Sequence, residues 1–350
     1  MKHLRNWRLW LGFAVTVLCL GLVLRKVSFA ELWDAFTRAD LFLLAAISFP
    51  AHVAALYVRA LRWRHLTDAV QPIGRGPLFR ATAVGLMANN IFPLRVGELV
   101  RVWYLAREVK GHSAAILGTV ILERVIDSLV IVGLAAVLLA IYGSQVFGSG
   151  AELLLVSVLA GFLLMLGLIA SLRFAPHTIA RLARAVTRPV LRERVADRLE
   201  EIVQRLSQGM GSLRGGMHLF WIAFHSVLLW LVLAVLPFWG GLLALGVDLG
   251  SFSRALAASY TTLVLVGVFI SVPSAPGFFG PYHYACLQAL SRFGVEDAMA
   301  VALGTLVHAC FWLVVTGTGI FVLQRRHTSW REIEAAAASA DGKAAASEVR

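Results

Sequence analysis

The chain has 350 residues, of which 59% are hydrophobic and only 15% charged, with a net charge of +12 and a mean hydropathy of +0.77. Soluble domains run at about 45–50% apolar and about 25% charged, so this composition excludes an ordinary soluble enzyme, a disordered chain and a disulfide scaffold; it predicts an all-α polytopic membrane protein. The basic excess lies between apolar runs and not on a basic–aromatic platform, which argues against nucleic acid and matches the loop bias of membrane proteins.

The first apolar run, Trp7–Leu24, follows Lys2, Arg5 and Arg8 and ends at Arg25 and Lys26 without a small-residue cleavage site, so it reads as a retained span. Further runs are Leu41–Leu61, Ala114–Tyr142, Leu153–Leu172, Leu219–Leu245, Leu256–Val272 and Ala298–Leu323, each long enough to cross a hydrocarbon core as a helix. Two stretches fit neither span nor loop. Leu78–Leu105 is apolar but carries Asn89, Asn90, Pro93, Arg95, Gly97, Glu98 and Arg101; Ser271–Phe293 carries Pro273, Pro276, Gly277, Gly280 and Pro281. Interrupted backbone at membrane depth survives inside protein or beside a water-filled cavity, so re-entrant or broken helices are expected near 78–105 and 271–293.

The basic segments set the orientation. Met1–Arg8 carries three basic residues, Arg62–Arg80 four arginines against Asp68, and Arg173–Met217 nine arginines against four acids, whereas Arg25–Asp40 is balanced at three against three. The positive-inside rule puts both termini in the cytoplasm, which needs an even number of crossings. Pro276–Phe293 completes a count of about eight if it crosses as a short broken helix. Residues 1–325 form a single membrane domain. Within it, Thr178–Gln208 has apolar residues at helical spacing opposite arginines and is expected to lie on the inner leaflet. Residues 326–350 are alanine-rich and polar, an expected disordered tail. No internal repeat is evident.

The densest polar cluster is Asn89, Asn90, Arg95, Glu98 and Arg101, with Glu123, Arg124 and Asp127 in the next span. A spacing of three stacks Arg95, Glu98 and Arg101 on one side of a helix and lets Arg124 meet Asp127. Three arginines face three carboxylates, a balanced network in which each charge offsets the cost of burying another. It is either a structural lock or the wall of a cavity for a lipid headgroup; the number of ionisable groups favours the cavity. Pro276, Gly277 and Gly280, followed by Tyr282 and His283, form the second candidate wall, against the plain alternative of a helix hairpin. Arg62, Trp63 and Arg64 read as interfacial anchors, while Arg59, inside the apolar run, either snorkels or joins the cavity; His225 and His308 read as helix contacts. Cys19, Cys286 and Cys310 fall in apolar stretches without a C-x-x-C pair. No nucleotide, metal or nucleophile motif is present, so no cofactor, metal ligand or catalytic residue is expected.

The order N-x-x-P-x-R-x-G-E-x-x-R (Asn90, Pro93, Arg95, Gly97, Glu98, Arg101), E-R-x-x-D (Glu123, Arg124, Asp127) and P-x-x-P-G (Pro273, Pro276, Gly277), with Gly280 beyond it, resembles the flippase-like integral membrane family that includes the transmembrane region of lysylphosphatidylglycerol synthases. The resemblance spans roughly residues 5–325. It implies lipid translocation in the bacterial inner membrane. The expected partners are membrane lipids (anionic phospholipid, aminoacyl-lipid or glycolipid) and an envelope glycosyltransferase. The soluble domain that synthesises aminoacyl-lipid in the two-domain relatives has no counterpart among these residues, so that activity is not carried over. The rival readings are a membrane-embedded transferase with Glu98 or Asp127 as base, and a scaffold for envelope lipid synthesis.

Overall fold

A computed structural model describes residues 7–68, 71–110, 113–147, 150–174, 216–272 and 274–338, with isolated positions between 178 and 185. The amphipathic reading of Thr178–Gln208 and the proline at 273 lie outside the described residues. Every described element is helical. In order they are α1 (Trp7–Leu24), α2 (Phe29–Arg38), α3 (Leu41–Thr67), α4 (Arg75–Ile91), α5 (Gly97–Val109), α6 (Ser113–Phe147), α7 (Ala151–Phe174), α8 (Gly216–Val227), α9 (Leu236–Ala244), α10 (Phe252–Phe269), α11 (Pro281–Leu290), α12 (Asp297–Arg325) and α13 (330–338).

Local chemistry sets these boundaries. Ser28 caps α2 reciprocally with Glu31, the Asp40 carboxylate accepts from the Leu43 amide at the start of α3, and Ser251 accepts from the Arg254 amide at the start of α10. Between α8 and α9 a π-helical turn, Leu228–Leu233, precedes Pro237. There the Ala234 amide reaches back five residues to the Leu229 carbonyl. Because Pro237 has no N–H to donate, the helical ladder is already broken at this point.

The two broken stretches are hairpins. In the first, α4 and α5 are joined by a 3-10 turn at Pro93–Arg95; in the second, α10 and α11 are joined through a 3-10 turn at Pro276–Phe278. They open at opposite ends of the 29-residue α12, about 43 Å long at 1.5 Å per residue. Arg80 pairs with Glu108 across the mouth of the first, and Glu108 also meets Arg326, just past the end of α12, at 3.5 Å. Across the mouth of the second, Arg254 donates to the Phe293 carbonyl at 3.3 Å, beside Asp297 at the start of α12. The tips meet midway, with the Arg95 guanidinium over the Phe278 ring.

Each hairpin is flanked by two long spans, α3 and α6 for the first, α8–α9 and α12 for the second. α3 and α8–α9 run antiparallel: the Asp40 amide donates to the Ala244 carbonyl at 2.8 Å at one end, and the His65 and His218 rings lie 5.8 Å apart at the other. The order span–hairpin–span therefore occurs twice with inverted direction. The repeat that is invisible by eye in the sequence survives as Pro93-x-x-x-Gly97 and Pro276-x-x-x-Gly280.

Packing follows this division. One core surrounds the α10–α11 hairpin with Phe238, Leu263, Leu287, Leu290 and Leu303; the other surrounds the α4–α5 hairpin with Trp63, Leu66, Leu78, Met87 and Leu105. Lipid tails are as apolar as leucine, so close approach at small residues has to hold the helices together. At Gly97 a Cβ would fall 2.0 Å from the Gly85 carbonyl oxygen, and at Gly319 one would fall 2.4 Å from the Met87 Cβ. Trp10, Phe13, Val17, Leu153 and Leu164 point outward from α1 and α7, as expected of a lipid-facing surface.

Two expectations are corrected. By length and apolar content five helices among the described residues can cross a membrane, or six if the α1–α2 pair, bent by 81°, counts as one span; the apolar 24-residue α7, described only in part, stands outside that count. Pro276–Phe293 does not cross on its own: it turns back at Gly277 and Gly280 and leaves by the end at which α10 entered. The tail is not disordered throughout. Ser329 and Glu332 cap α13 reciprocally, Ile333 is fully buried in the second core, Arg107 pairs with Glu332 at 2.6 Å, and Trp330 stacks on Phe92. One buried isoleucine among alanines is enough to dock a short helix and too little to show as a periodic pattern.

Candidate functional site

A cavity of about 190 Å³ lies where the two hairpin tips meet α3, α8–α9 and α12. Its lining combines the polar Arg59, Arg95, Glu98, Arg124, Asn89 and Asn90 with the apolar Leu263, Val266, Phe278, Phe311 and Val315. It is therefore amphipathic. Its depth is set by mid-helix residues: Asn90 donates to Thr316 of α12 at 3.1 Å, and the Phe279 carbonyl accepts from Thr16 of α1 at 3.1 Å.

An ion network backs the polar lining. Glu123 sits at its centre, accepts both terminal nitrogens of Arg101 at 3.2 and 2.9 Å and Arg124 at 2.6 Å, and forms an ion pair with Arg62 at 3.3 Å. Asp127, one turn along α6, takes Arg62 at 2.6 Å, Arg124 at 3.2 Å and the Trp230 indole N–H at 2.7 Å. The π turn carries Trp230 at its centre and therefore sets this last contact. Glu98 meets Arg124 at 3.6 Å and Arg101 at 3.9 Å. The Arg101 guanidinium lies 3.6 Å above the Trp63 ring, whose N–H is bound to Thr119. Such a network offsets the several kcal/mol that each isolated charge would cost at this depth.

The expected balance of three against three does not hold. Arg62 was read as an interfacial anchor, but its side chain is 0% exposed and bridges Asp127 and Glu123. Arg59 joins at the margin, 4.0 Å from Asp127 and over the Trp230 ring at 5.3 Å. Five guanidiniums (Arg59, Arg62, Arg95, Arg101 and Arg124) thus face three carboxylates among the described residues, an excess of two positive charges. Arg95 is not part of a helical stripe with Glu98 and Arg101, because it lies in the 3-10 turn before α5 begins and makes no ion pair among the described residues.

The remaining expected residues divide by role. Asn89 lines the cavity and accepts the Gly97 amide at 2.8 Å, which holds the start of α5. Arg101, Glu123 and Asp127 stand behind the wall, while Arg124 and Glu98 face the space. Pro276, Gly277 and Gly280 shape the second tip without lining the cavity. Gly280 has φ +91, and a Cβ there would fall 2.8 Å from the Thr16 carbonyl oxygen. Tyr282 lines the cavity; His283 is buried beside it but does not. His308, read as a helix contact, lines the cavity and stacks on Tyr282 at 4.3 Å, whereas His225 does make the expected local contact, to the Trp221 carbonyl. The missed lining residues, His52, Trp230, Phe278 and His308, are ordinary members of apolar runs. The π turn aims Trp230, the second tip aims Phe278, and the packing of α3 and α12 brings His52 and His308 to the same space; no local sequence signal marks them.

Residues 9–319 match the family described as lysylphosphatidylglycerol synthase TM region. The chain belongs to that family. A UPF0104 membrane protein of the archaeon Methanothermobacter thermautotrophicus (strain Delta H) is 24% identical over 316 residues, covering 86% of this chain and 90% of that protein. No solved structure matches. Membership accords with the all-helical polytopic architecture.

Proposed function

We propose that this protein carries a polar lipid with an anionic headgroup between the leaflets of the cytoplasmic membrane, and that it acts as a carrier rather than as an enzyme. The observation that carries this reading is the excess of two guanidiniums at a mid-depth cavity whose lining is otherwise mostly apolar. Arg62 and Arg101 are already paired with carboxylates of the network. Arg59 and Arg95 are the cations with least compensation, and they face the space. A phosphate diester supplies the missing charge through charge-assisted hydrogen bonds, and the acyl chains remain against the apolar lining.

The inverted hairpins supply a route. Opening of the α4–α5 hairpin exposes the cavity to one leaflet, and opening of the α10–α11 hairpin exposes it to the other, which is the logic of alternating access in inverted-repeat transporters. The end that carries Arg64, Arg75, Arg80, Arg107, Arg325 and Arg326 is assigned to the cytoplasm and the more balanced end to the outside.

The test is purified protein in liposomes with a panel of fluorescent phospholipids and glycolipids. A membrane-impermeant reductant reads leaflet exposure, and mass spectrometry reads the lipid itself. Movement of an anionic lipid without change of mass, lost in Arg95→Ala and Arg59→Ala, supports the carrier. A changed lipid mass turns the reading to a transferase, and no movement of any lipid overturns it.

A further inference from the structure

Away from the cavity, at the basic end, a second polar cluster has no part in the reading above. His65 and Asp68 lie one turn apart at the end of α3, and His218 lies in the first turn of α8. One donor atom from each falls within 4.8 Å of the other two. His65 Nδ1 is buried and has no hydrogen-bond partner. Asp68 makes no ion pair among the described residues, although arginines surround this end of the fold. A third imidazole stands beside them: the His225 ring lies 5.5 Å from that of His65, and its Nδ1 is 2.6 Å from the Trp221 carbonyl. That bond makes Nδ1 the protonated nitrogen and leaves Nε2 with its lone pair, the arrangement that fixes the tautomer of metal-ligating histidines. Trp221 stacks nearly parallel to His65 (8°) and fixes its ring.

We propose that His65, Asp68 and His218 bind a divalent transition-metal ion of the zinc class, with His225 or water in the fourth position. Two imidazoles and a carboxylate are a donor set for a borderline cation, with donors at about 2.0–2.2 Å. His218 is exposed, so its ring can swing inward to close the remaining gap without disturbing packing. A hard cation such as Mg²⁺ prefers oxygen donors and is not favoured here. The ion fastens the inner end of α3, which carries Arg59 and Arg62, to the start of the span that carries Trp230. It thus braces two sides of the charge network from outside the cavity.

The alternative is an interfacial stack of aromatic and histidine rings. The deciding experiment uses full-length protein with its affinity tag removed, in detergent, stripped with chelator and titrated with Zn²⁺ by calorimetry, with bound metal counted by mass spectrometry. The expected result is one saturable equivalent per chain, unaffected by excess Mg²⁺. Loss of outer-shell partners alone weakens metal sites by about 10–100-fold, so loss of a ligand in His218→Ala should weaken binding at least about tenfold. Asp68→Asn gives a second reading that leaves every ring in place. X-ray absorption of the loaded protein should show at least two imidazoles. Absence of saturable binding, unchanged binding in both variants, or a shell without imidazole would each overturn the site. None of these readouts depends on lipid movement, so the metal site and the carrier reading stand or fall separately.

Discussion

The Arg95 guanidinium lies 5.4 Å from the centroid of the Phe278 ring, and both residues hold left-handed backbone, with φ of 55° and 61°. Each is the third residue of its Pro-initiated 3-10 turn, so the contact joins equivalent points of the two inverted hairpins. A left-handed conformation costs a non-glycine residue about 1–2 kcal/mol, and the two tips meet only because both accept it. A half-buried cation–π contact of about 1–2 kcal/mol offsets part of that cost. Phe278→Ala should leave the fold intact, lower thermal stability by an amount of that order and slow lipid movement. Wild-type rates in vesicles together with a measurable loss of stability would show that the tip contact is structural only.

Glu123 and Glu98 should behave differently although both are carboxylates of one network. Glu123 is fully buried and holds three arginines, so Glu123→Gln strands buried charge at about 3–5 kcal/mol. Glu98 is 21% exposed, and its pairs are 3.6 and 3.9 Å long. Its loss should cost about 1 kcal/mol or less. Thermal unfolding followed by size-exclusion chromatography separates the two, and equal midpoints would show that the network is hydrated throughout.

At Gly97 a side chain meets the Gly85 carbonyl oxygen and the Asn89 Oδ1, at 2.0 and 2.5 Å from an ideal Cβ; at Gly317 nothing lies within 4 Å. Gly97→Ala should therefore abolish folded yield and Gly317→Ala preserve it. The comparison is read by fluorescence-detected chromatography of tagged variants, and equal yields would mean that α4 and α5 separate more readily than this packing allows.

Truncation after Thr328 removes α13. Ile333 is completely buried, and Ile333→Ala should cost about 2–5 kcal/mol, as for other buried aliphatic truncations. The loss should be comparable in the truncated chain. An unchanged melting temperature in both would mean that α13 contributes nothing to the second core.

Orientation is open to thiol labelling because Cys19, Cys286 and Cys310 are all buried, which keeps the background low. A membrane-impermeant maleimide applied to intact cells should label Asp248→Cys and spare Arg75→Cys. The opposite pattern would invert the assignment of sides.

Fold class, the two broken segments and most of the polar cluster could be read from residues alone, because charge and proline are costly at membrane depth and stand out against apolar runs. The reversal within the second hairpin could not: hydropathy gives α10 the length of a span, and the left-handed backbone of Gly277, Phe278 and Gly280, with φ of +71, +61 and +91, turns the chain back. The fourth and fifth arginines, Arg59 and Arg62, were visible as residues but lay close to the membrane–water boundary in sequence, where arginines ordinarily reach for headgroups. Their burial depends on α6 and α8 packing against that face, a tertiary fact. His308 and Phe278 carry no local mark of their role for the same reason.

The π turn at Leu228–Leu233 holds an extra residue within a span that an uninterrupted α-helix would cross without it. Each residue of an α-helix turns the chain by about 100°. Deleting one position in this turn would therefore restore regular winding with the helix on either side nearly in place, yet would re-aim the residues of the turn itself, Trp230 among them, relative to Asp127. The span would remain apolar and of sufficient length, and hydropathy would register almost nothing. The cavity, however, would lose the alignment of Trp230 with the charge network. A single-codon deletion here is thus a silent change to the membrane and a severe one to whatever the cavity holds.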